Sequence, residues 1–300
     1  MRLVIAGGTG FIGSALCARL SEFGHSLTLL TRSSAPAGSR PNVKWLTWNP
    51  GSPDALEAAV NGSDGVINLA GTAIARRWTK RYKEAIASSR VQSTRALVQA
   101  IGKAEEKPKW LINASAIGYY GPHGNETLSE EAGAGSDFLS RVCVAWEREA
   151  GKAEDYGLRV VRLRTGIVLG KGGGALAKMA LPFKLFLGGP LGDGNQPMSW
   201  IHLEDEIGLI LFLLEHPEAR GAINATAPNP TTMSEFCKTL GDVLNRPSWA
   251  PVPAFALRLV LGEMADMLLN GQRVLPTQAL KLGYAFKYPT LREALLSLRL

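Results

Sequence analysis

In the stretch VIAGGTGFIGSAL, residues 4–16, three of the four glycines, Gly7, Gly10 and Gly13, are spaced as GxxGxxG. A short apolar run precedes them, and a segment with helical periodicity follows. A glycine turn between a strand and a helix brings backbone N–H groups and the positive end of the helix dipole to a pyrophosphate. The stretch therefore predicts a dinucleotide-binding unit in which glycines make the turn and allow close backbone approach.

The elements around this stretch alternate between strand and helix patterns. The predicted strands are residues 3–6, 27–31, 43–48, 66–70, 110–115 and 158–163, and the predicted helices are residues 11–23, 54–61, 78–103 and 137–155. Strands that alternate with helices indicate a parallel sheet covered on both faces. We expect an α/β fold with a doubly wound (Rossmann) parallel sheet.

Beyond residue 170 the pattern changes. Residues 170–174 and 188–197 are rich in glycine and read as loops, and helices are predicted at 255–269, 276–282 and 291–298. We expect residues 1–170 to form the nucleotide-binding domain, with 198–230 returning to it. Residues 171–197 and 231–300 would then form a smaller, discontinuous C-terminal lobe that covers substrate.

The composition excludes several classes of protein. The 300 residues are 46% hydrophobic and 20% charged, which is typical of a globular chain. The three cysteines and four histidines are scattered, so neither a disulfide framework nor a metal site is predicted. The first residues read as a strand rather than a signal peptide, and the longest apolar run, residues 207–214, is too short to cross a bilayer. We expect a cytoplasmic protein without a membrane partner.

The net charge is +7, and one short run is strongly basic: five of the eight residues in RRWTKRYK, 76–83, are Lys or Arg. One interpretation is a solvated helix face, and the other is a rim that attracts an anionic ligand. A weaker hypothesis is an RNA-binding surface. No RNA- or DNA-binding motif accompanies the charge, so nucleic acid is not a favoured partner.

The end of the second predicted strand distinguishes between two cofactors. An NAD site places an acidic residue about 20 residues beyond the glycines, where it holds the ribose 2′-hydroxyl. This chain has Thr31, Arg32 and Ser33 there instead. Because a guanidinium suits a 2′-phosphate, the stretch predicts NADP(H). An arginine that only ends a strand is the alternative.

In this context the chain resembles the extended, epimerase-like branch of the short-chain dehydrogenase/reductases. The motifs that carry the resemblance are NLAG at 68–71, SAIGYYG at 115–121, RTGIVLG at 164–170 and SWIHLED at 199–205. RRW at 76–78, SRVQST at 89–94, CVAWE at 143–147 and LPFKLFLGGPLGDG at 181–194 are similar to atypical "epimerase family" members, which resemble NAD-dependent epimerase/dehydratases and carry a C-terminal domain of unknown function. The resemblance covers essentially the whole chain.

The resemblance implies a set of cofactor-binding residues. Gly7, Thr9, Gly10, Phe11, Ile12 and Gly13 would hold the pyrophosphate; Arg32 and Ser33 the adenosine phosphate; Leu69, Ala70 and Gly71 the adenosine and ribose; Arg90 and Val168 would border the rest of the cofactor. It also implies that the C-terminal lobe closes over the nicotinamide and that two long helices, 78–103 and 137–155, can pair in a homodimer.

Members of this superfamily transfer a proton with a tyrosine and, four residues later, a lysine. In SDFLSRVCVAWERE, residues 136–149, these positions hold Leu139 and Cys143 or, one residue earlier, Phe138 and Val142. Neither alignment restores the pair.

Three residues near the predicted site remain as catalytic candidates: Ser115, Tyr119 and Tyr120. Ala116 is an alternative occupant of the serine position. For both tyrosines the alternative role is lining of the cavity or packing against the cofactor. Cys143 is interpreted as a small core residue rather than a nucleophile.

The sequence supports two hypotheses for function. The first is an NADP(H)-binding oxidoreductase or epimerase-like enzyme acting on an unidentified small substrate, for which the basic run suggests an anion. The second is a non-catalytic NADPH-binding sensor or scaffold, which the missing pair favours.

Overall fold

The computed structural model describes residues 1–32, 42–48 and 54–300. Its strands are β1 (Arg2–Ala6), β2 (Ser26–Thr31), β3 (Val43–Thr47), β4 (Gly65–Asn68), β5 (Trp110–Ala116), β6 (Thr127–Leu128), β7 (Arg159–Thr165), β8 (Ile167–Leu169), β9 (Pro197–Met198), β10 (Trp200–His202), β11 (Gly221–Ala225), β12 (Thr231–Thr232) and β13 (Arg273–Val274). Its α-helices are α1 (Phe11–Glu22), α2 (Asp54–Val60), α3 (Lys80–Lys103), α4 (Phe138–Gly151), α5 (Gly174–Lys184), α6 (Leu203–Glu215), α7 (Met233–Leu244), α8 (Ala254–Leu261), α9 (Met264–Leu269), α10 (Thr277–Lys281) and α11 (Leu291–Ser297). Short 3₁₀ helices span Ile117–Tyr119 and Lys152–Tyr156.

Seven parallel strands form the main sheet in the order β11-β7-β5-β4-β1-β2-β3. From β1 the chain adds β2 and β3 on one side and β4, β5, β7 and β11 on the other side, which is the defining feature of a doubly wound sheet. The expected Rossmann-like α/β fold is therefore confirmed. The late strand β11 returns from the second half of the chain to pair with β7 at the sheet edge.

Successive residues of β1 supply the cores on the two faces of the sheet. Leu3 and Ile5 pack in one cluster with residues of α1 and α6, whereas Val4 packs in a second cluster with residues of α2 and α3. Side chains alternate across a strand, so a strand with helices on both faces must be apolar throughout. Burial on both faces explains why the first strand reads as a continuous apolar run.

In the C-terminal half the structure contains α5 and α7, which the sequence did not predict, and it divides one predicted helix. The predicted helix 255–269 is wrong as a single element, because the chain forms α8 and α9 with a break between them. Gly262 ends α8 with φ of 62°, a left-handed conformation that glycine adopts without strain. A third core cluster, which includes Phe183, Trp200 and Phe236, joins α5, β10 and α7.

The sequence predicts that the longest apolar run is too short to cross a bilayer, and the lengths of the helices bear on this prediction. In the described parts of the chain no helix is both long and apolar enough to cross a bilayer. The apolar run at 207–214 lies inside α6, whose Leu209, Ile210 and Leu213 are fully buried.

Candidate active site

The candidate site lies at the carboxyl edge of the sheet, where neighbouring strands end at the same level. Ala6 is in register with Leu30 and with Asn68, and Ala116 is in register with Thr165. The segments that follow these strands therefore meet at one edge. Ligands of open α/β sheets bind in the crevice at this edge.

The glycine loop after β1 has no room for a side chain at Gly7 or Gly13. Gly7 has φ of 81°, and a Cβ there would lie 2.6 Å from the backbone carbonyl of Leu69. A Cβ on Gly13 would lie 2.1 Å from the Gly7 oxygen. Gly10 is the N-cap residue of α1. Because glycine has no side chain, it offers the N–H groups of the first helical turn no side-chain acceptor. This arrangement fits a pyrophosphate.

Phe11, the first residue of α1, links the glycine loop to the segment after β8. A Cβ on Gly170, Gly173 or Gly174 would lie 2.7, 2.5 or 2.9 Å from an atom of the Phe11 ring. The glycines of 170–174 thus form a cradle for the ring, and side chains there would displace it. Val168 lies half-buried in β8, immediately before this cradle.

The segment after β4 lies directly beside the glycine loop. The Leu69 N–H donates to the Ala6 carbonyl over 2.9 Å, which fixes the distance between the two segments. Arg90 of α3 donates to the Thr72 carbonyl over 3.0 Å, and its guanidinium lies 5.2 Å from the Trp146 ring centre. Burial lowers the pKa of Arg90.

All but one of the remaining predicted cofactor residues lie in the described part of the chain. Arg32 is exposed directly after β2, at the level of the glycine loop, and Thr9 is also exposed. Ala70, Gly71 and Ile12 lie along the same edge. Ser33 lies outside the described residues.

The helix that would carry the superfamily's tyrosine and lysine places apolar groups at the cleft. A Cβ on Gly118 would lie 3.3 Å from Leu139 Cβ and 4.0 Å from Cys143 Sγ. Phe138 instead packs against Trp78, with ring centres 5.3 Å apart. Of the two alignments, the structure therefore places Leu139 and Cys143 beside the end of β5.

The environment of Cys143 disfavours its thiolate form. Burial, together with the nearby negative charge of Glu147, raises the pKa of its thiol to about 12. A thiol in that state is neither a nucleophile nor a positive charge that could replace the missing lysine.

A buried ion pair lies next to this position. Arg164 Nε donates to Glu147 Oε1 over 2.8 Å, and Arg164 Nη2 donates to Glu147 Oε2 over 2.9 Å. The two side chains are only 5% and 7% exposed. Burial disfavours the charge of Arg164, but the hydrogen bonds and charge of Glu147 outweigh it and raise the pKa of Arg164.

Two of the three catalytic candidates are enclosed by this ion pair. Ser115 is 4% exposed and donates to Glu147 Oε1 over 2.6 Å. Tyr120 is fully buried; its hydroxyl donates to Asn224 Oδ1 over 2.7 Å and accepts from Arg164 Nη1 over 3.0 Å. Burial raises the pKa of Tyr120.

Tyr119 differs from the other two candidates because it is half-buried rather than enclosed. The guanidinium carbon of Arg164 lies 3.5 Å from its ring centre, a cation–π contact. Tyr119 is therefore the only one of the three candidates whose side chain is not buried.

Sequence reasoning missed the polar network that holds this site. Thr94 Oγ1 accepts from Asn68 Nδ2 and from Trp146 Nε1, each over 2.8 Å, and this joins α3 and α4 to β4. The signal for the ion pair was available, because Glu147 follows Cys143 by four residues and so falls on the same buried helix face. Its partner Arg164, 17 residues later, is not evident from spacing.

Within the described ranges, no group of three or more His, Cys, Asp or Glu side chains could hold a metal ion.

Comparison with known proteins identifies the family. The model of the NAD dependent epimerase/dehydratase family matches residues 3–225, and that of a domain of unknown function, DUF1731, matches residues 252–298. The chain belongs to the NAD dependent epimerase/dehydratase family.

Its relatives are similar over nearly the whole chain. It is 44% identical over 301 residues to the chloroplastic epimerase family protein SDR39U1 homolog of Arabidopsis thaliana, covering 98% of this chain and 86% of that protein. It is 41% identical to the epimerase family protein YfhF of Bacillus subtilis, covering 98% and 97% of the two chains.

Two solved structures are similar in fold to this chain over its whole length. The human epimerase family protein SDR39U1 (isoform 2), crystallised with NADPH, superposes with a TM-score of 0.89 at 36% identity, covering 100% of this chain and 99% of that one. A nucleoside-diphosphate sugar epimerase from Corynebacterium glutamicum superposes with a TM-score of 0.81 at 31% identity, and this chain covers 58% of it.

Proposed function

We propose that this protein binds NADPH at the carboxyl edge of the sheet and is an NADP(H)-dependent oxidoreductase or epimerase-like enzyme of an unidentified small molecule. The observation that carries the proposal is the closely packed glycine loop, together with the start of α1, which has no side-chain cap; both fit a pyrophosphate. The human relative crystallised with NADPH supports the same cofactor.

We assign the cofactor to the residues that the sequence predicts, of which Ser33 lies outside the described residues. They are Gly7, Thr9, Gly10, Phe11, Ile12 and Gly13 at the pyrophosphate, Arg32 and Ser33 at the 2′-phosphate, Leu69, Ala70, Gly71 and Arg90 on the segment after β4 and on α3, and Val168 near the nicotinamide. The exposed guanidinium of Arg32, level with the glycine loop, supports NADPH over NADH.

NADPH supplies a hydride when it is bound, so the protein must supply or remove a proton. Among Ser115, Tyr119 and Tyr120, we assign this step to Tyr119, because the hydroxyls of the other two are already bonded inside the protein. Arg164, fixed by Glu147, holds a positive charge beside the Tyr119 ring, where it can stabilise negative charge that develops on a nearby oxygen.

A second function is favoured by Leu139 and Cys143. With apolar groups in place of the superfamily's acid–base pair, the protein could bind NADPH without turnover and act as a sensor or scaffold. Retained cofactor binding without any NADPH oxidation is the expected result for that function.

The test is a two-stage measurement on the purified protein. Cofactor fluorescence on titration with NADPH should saturate at one equivalent, and a screen of small anionic and sugar-nucleotide compounds should then find one that drives NADPH oxidation. Tyr119→Phe should bind NADPH normally but lose turnover about 100-fold or more, whereas Tyr156→Phe, at a tyrosine that is 43% exposed, should change neither property. Unchanged turnover in Tyr119→Phe would overturn the assignment.

We also propose the two-part organisation into residues 1–170 with 198–230 and residues 171–197 with 231–300. Pairing of β11 with β7 in the main sheet supports the return of the chain, and packing of α7 against α11 and α5 supports the smaller lobe.

The cellular setting is likewise a proposal. Cys17, Cys143 and Cys237 are buried and form no disulfide, which supports a reducing, cytoplasmic compartment. A homodimer through α3 and α4 stays a prediction, and the packing of these two helices side by side is compatible with it.

A further inference from the structure

One hydrogen bond joins two segments that leave the carboxyl edge of the sheet at different strands. The first segment is residues 69–79, which connect β4 to α3 and are called the β4–α3 loop. The second is α5, which follows β8 after a short glycine-rich turn. Lys178 Nζ of α5 donates to the Ala75 carbonyl of the β4–α3 loop over 2.9 Å. The contact therefore spans the edge at which we place the cofactor.

The β4–α3 loop is held by α3, which packs on one face of the sheet. Arg90 of α3 donates to the Thr72 carbonyl over 3.0 Å, and the Tyr82 hydroxyl of α3 donates to the Ala73 carbonyl. Two successive carbonyls of the loop are thus bonded to α3. The loop is fixed to that face, and the carbonyl two residues later is the one that accepts from Lys178.

The start of α5 is held by α1, which packs on the opposite face of the sheet. A Cβ on Gly174, the first residue of α5, would lie 2.9 Å from the ring of Phe11, the first residue of α1. Leu176 anchors α5 in the third core cluster and is 1% exposed. Lys178, two residues later, is exposed. Its hydrogen bond therefore connects an element held on the α1 face to one held on the α3 face.

Together these contacts close a ring around the carboxyl edge. Leu69, at the start of the β4–α3 loop, lies directly beside Gly7 of the glycine loop. In order around the ring, contacts and chain segments join Gly7, Phe11, Gly174, Lys178, Ala75 and Leu69. Gly7 and residues 69–71 are among those that we assign to the cofactor. A dinucleotide bound to both would pass through the ring.

A second polar contact joins the same part of the chain to the C-terminal half. Lys83 Nζ of α3 donates to the two carboxylate oxygens of Glu263 over 2.6 and 2.8 Å. The two side chains are 27% and 48% exposed, and Glu263 lies between α8 and α9. Because water competes for donors and acceptors at exposed positions, this contact and that of Lys178 can open without disturbing the core.

We propose that the Lys178–Ala75 hydrogen bond is a strap across the crevice, which must open whenever NADPH enters or leaves and so limits the rate of cofactor exchange. The inference rests on the proposed function and goes beyond it by naming what controls access to the site. Because the same opening precedes entry and release, loss of the strap should change both rates more than the affinity.

A chemical bridge between the two segments tests the strap directly. In Ala75→Cys with Lys178→Cys, a bis-maleimide reagent should link the two new thiols, because the three native cysteines are buried. Protein bridged in the presence of NADPH should retain it through gel filtration. Protein bridged before NADPH is added should take it up at least about tenfold more slowly than the unbridged variant. In Lys178→Cys with Leu181→Cys, a bridge between two exposed residues of α5 should change neither rate.

Single substitutions test the hydrogen bond itself. Lys178→Met should release NADPH about threefold faster or more, in stopped-flow displacement followed by cofactor fluorescence, because one hydrogen bond no longer has to break. Lys178→Arg, which keeps a donor, should release NADPH like wild type. Lys184→Met, at an exposed position of the same helix, should do the same.

The outcomes separate the strap from the proposed function. Circular dichroism establishes that every variant is folded. Wild type that binds no NADPH would overturn the proposed function and this inference together. Wild type that binds NADPH, with exchange that the bridge between positions 75 and 178 does not slow, would overturn the strap alone. Equal acceleration of release in Lys178→Met and Lys184→Met would overturn it as well.

Discussion

Arg164 and Glu147 form a two-bond ion pair inside the protein, with Arg164 Nε and Nη2 donating to the two carboxylate oxygens over 2.8 and 2.9 Å. The pair connects β7 to α4 one helical turn beyond Cys143. Ser115 and Tyr120 bond to the same two groups, so both hydroxyls belong to the framework of the site.

Glu147→Gln should destabilise the protein by about 3 kcal/mol, because Arg164 would be left as a buried charge without a counter-ion. The free energy of unfolding, measured by urea denaturation at neutral pH, checks this. Glu154→Gln removes a carboxylate from an ion pair with Arg162 whose side chains are 28% and 51% exposed. This control should cost about 0.5 kcal/mol or less. Equal losses of unfolding free energy in the two variants would show that the buried ion pair contributes no more to stability than the exposed one.

Glu206 should make the protein less stable as the pH rises. The side chain is fully buried on α6, with Oε1 accepting from Thr165 Oγ1 over 2.8 Å, and burial raises its pKa to about 8 from 4.5. Between those values the folded protein holds a proton that the unfolded chain has lost. Unfolding therefore becomes easier as the pH increases from about 5 to 8.

Glu206→Gln should remove this dependence. Urea denaturation at several pH values measures the free energy of unfolding of both proteins. The value for the variant minus that for wild type should grow from near zero at pH 5 to on the order of 3 kcal/mol at pH 8.5. Glu215→Gln, at an exposed position on the same helix, should leave the pH profile unchanged. A pH-independent difference between Glu206→Gln and wild type would contradict the raised pKa.

The cysteines should be unreactive in the folded protein. Cys17, Cys143 and Cys237 are 8%, 4% and 3% exposed, and burial raises the thiol pKa of Cys143 to about 12 and that of Cys237 to about 11. A disulfide reagent at pH 8 should label less than about a tenth of a thiol per chain in minutes, and all three after unfolding in urea. Rapid labelling of Cys143, identified by mass spectrometry, would reopen its role as a nucleophile.

Sequence patterns predicted the elements whose signal is local. The strand at 2–6, the glycines that follow and α1 combine apolar runs, tight turns and periodicity within one short stretch, and the structure agrees to within about two residues. The break at Gly262 was missed because apolar periodicity continues across it, while the helix itself ends in a left-handed residue.

The site was less predictable because its contacts are distant in sequence. Ser115 and Tyr120 have residue types that suit catalysis, but Glu147, Arg164 and Asn224 occupy their hydroxyls, and these partners lie up to 104 residues away. The absence of the tyrosine and lysine pair is visible in the sequence. The side of α4 that faces the cleft is known only from the structure, in which Leu139 lies close to Gly118.

The central claim, that the crevice holds NADPH, is tested most directly by titrating the protein with NADPH and with NADH beside Arg32→Ala and a matched Arg19→Ala variant. Both arginines are exposed, but only Arg32 follows β2 at the level of the glycine loop. Wild type and Arg19→Ala should prefer NADPH, and Arg32→Ala should lose about tenfold or more in NADPH affinity, with NADH affinity unchanged. Failure of wild type to bind either nucleotide, or a preference for NADPH that survives in Arg32→Ala, would contradict the account.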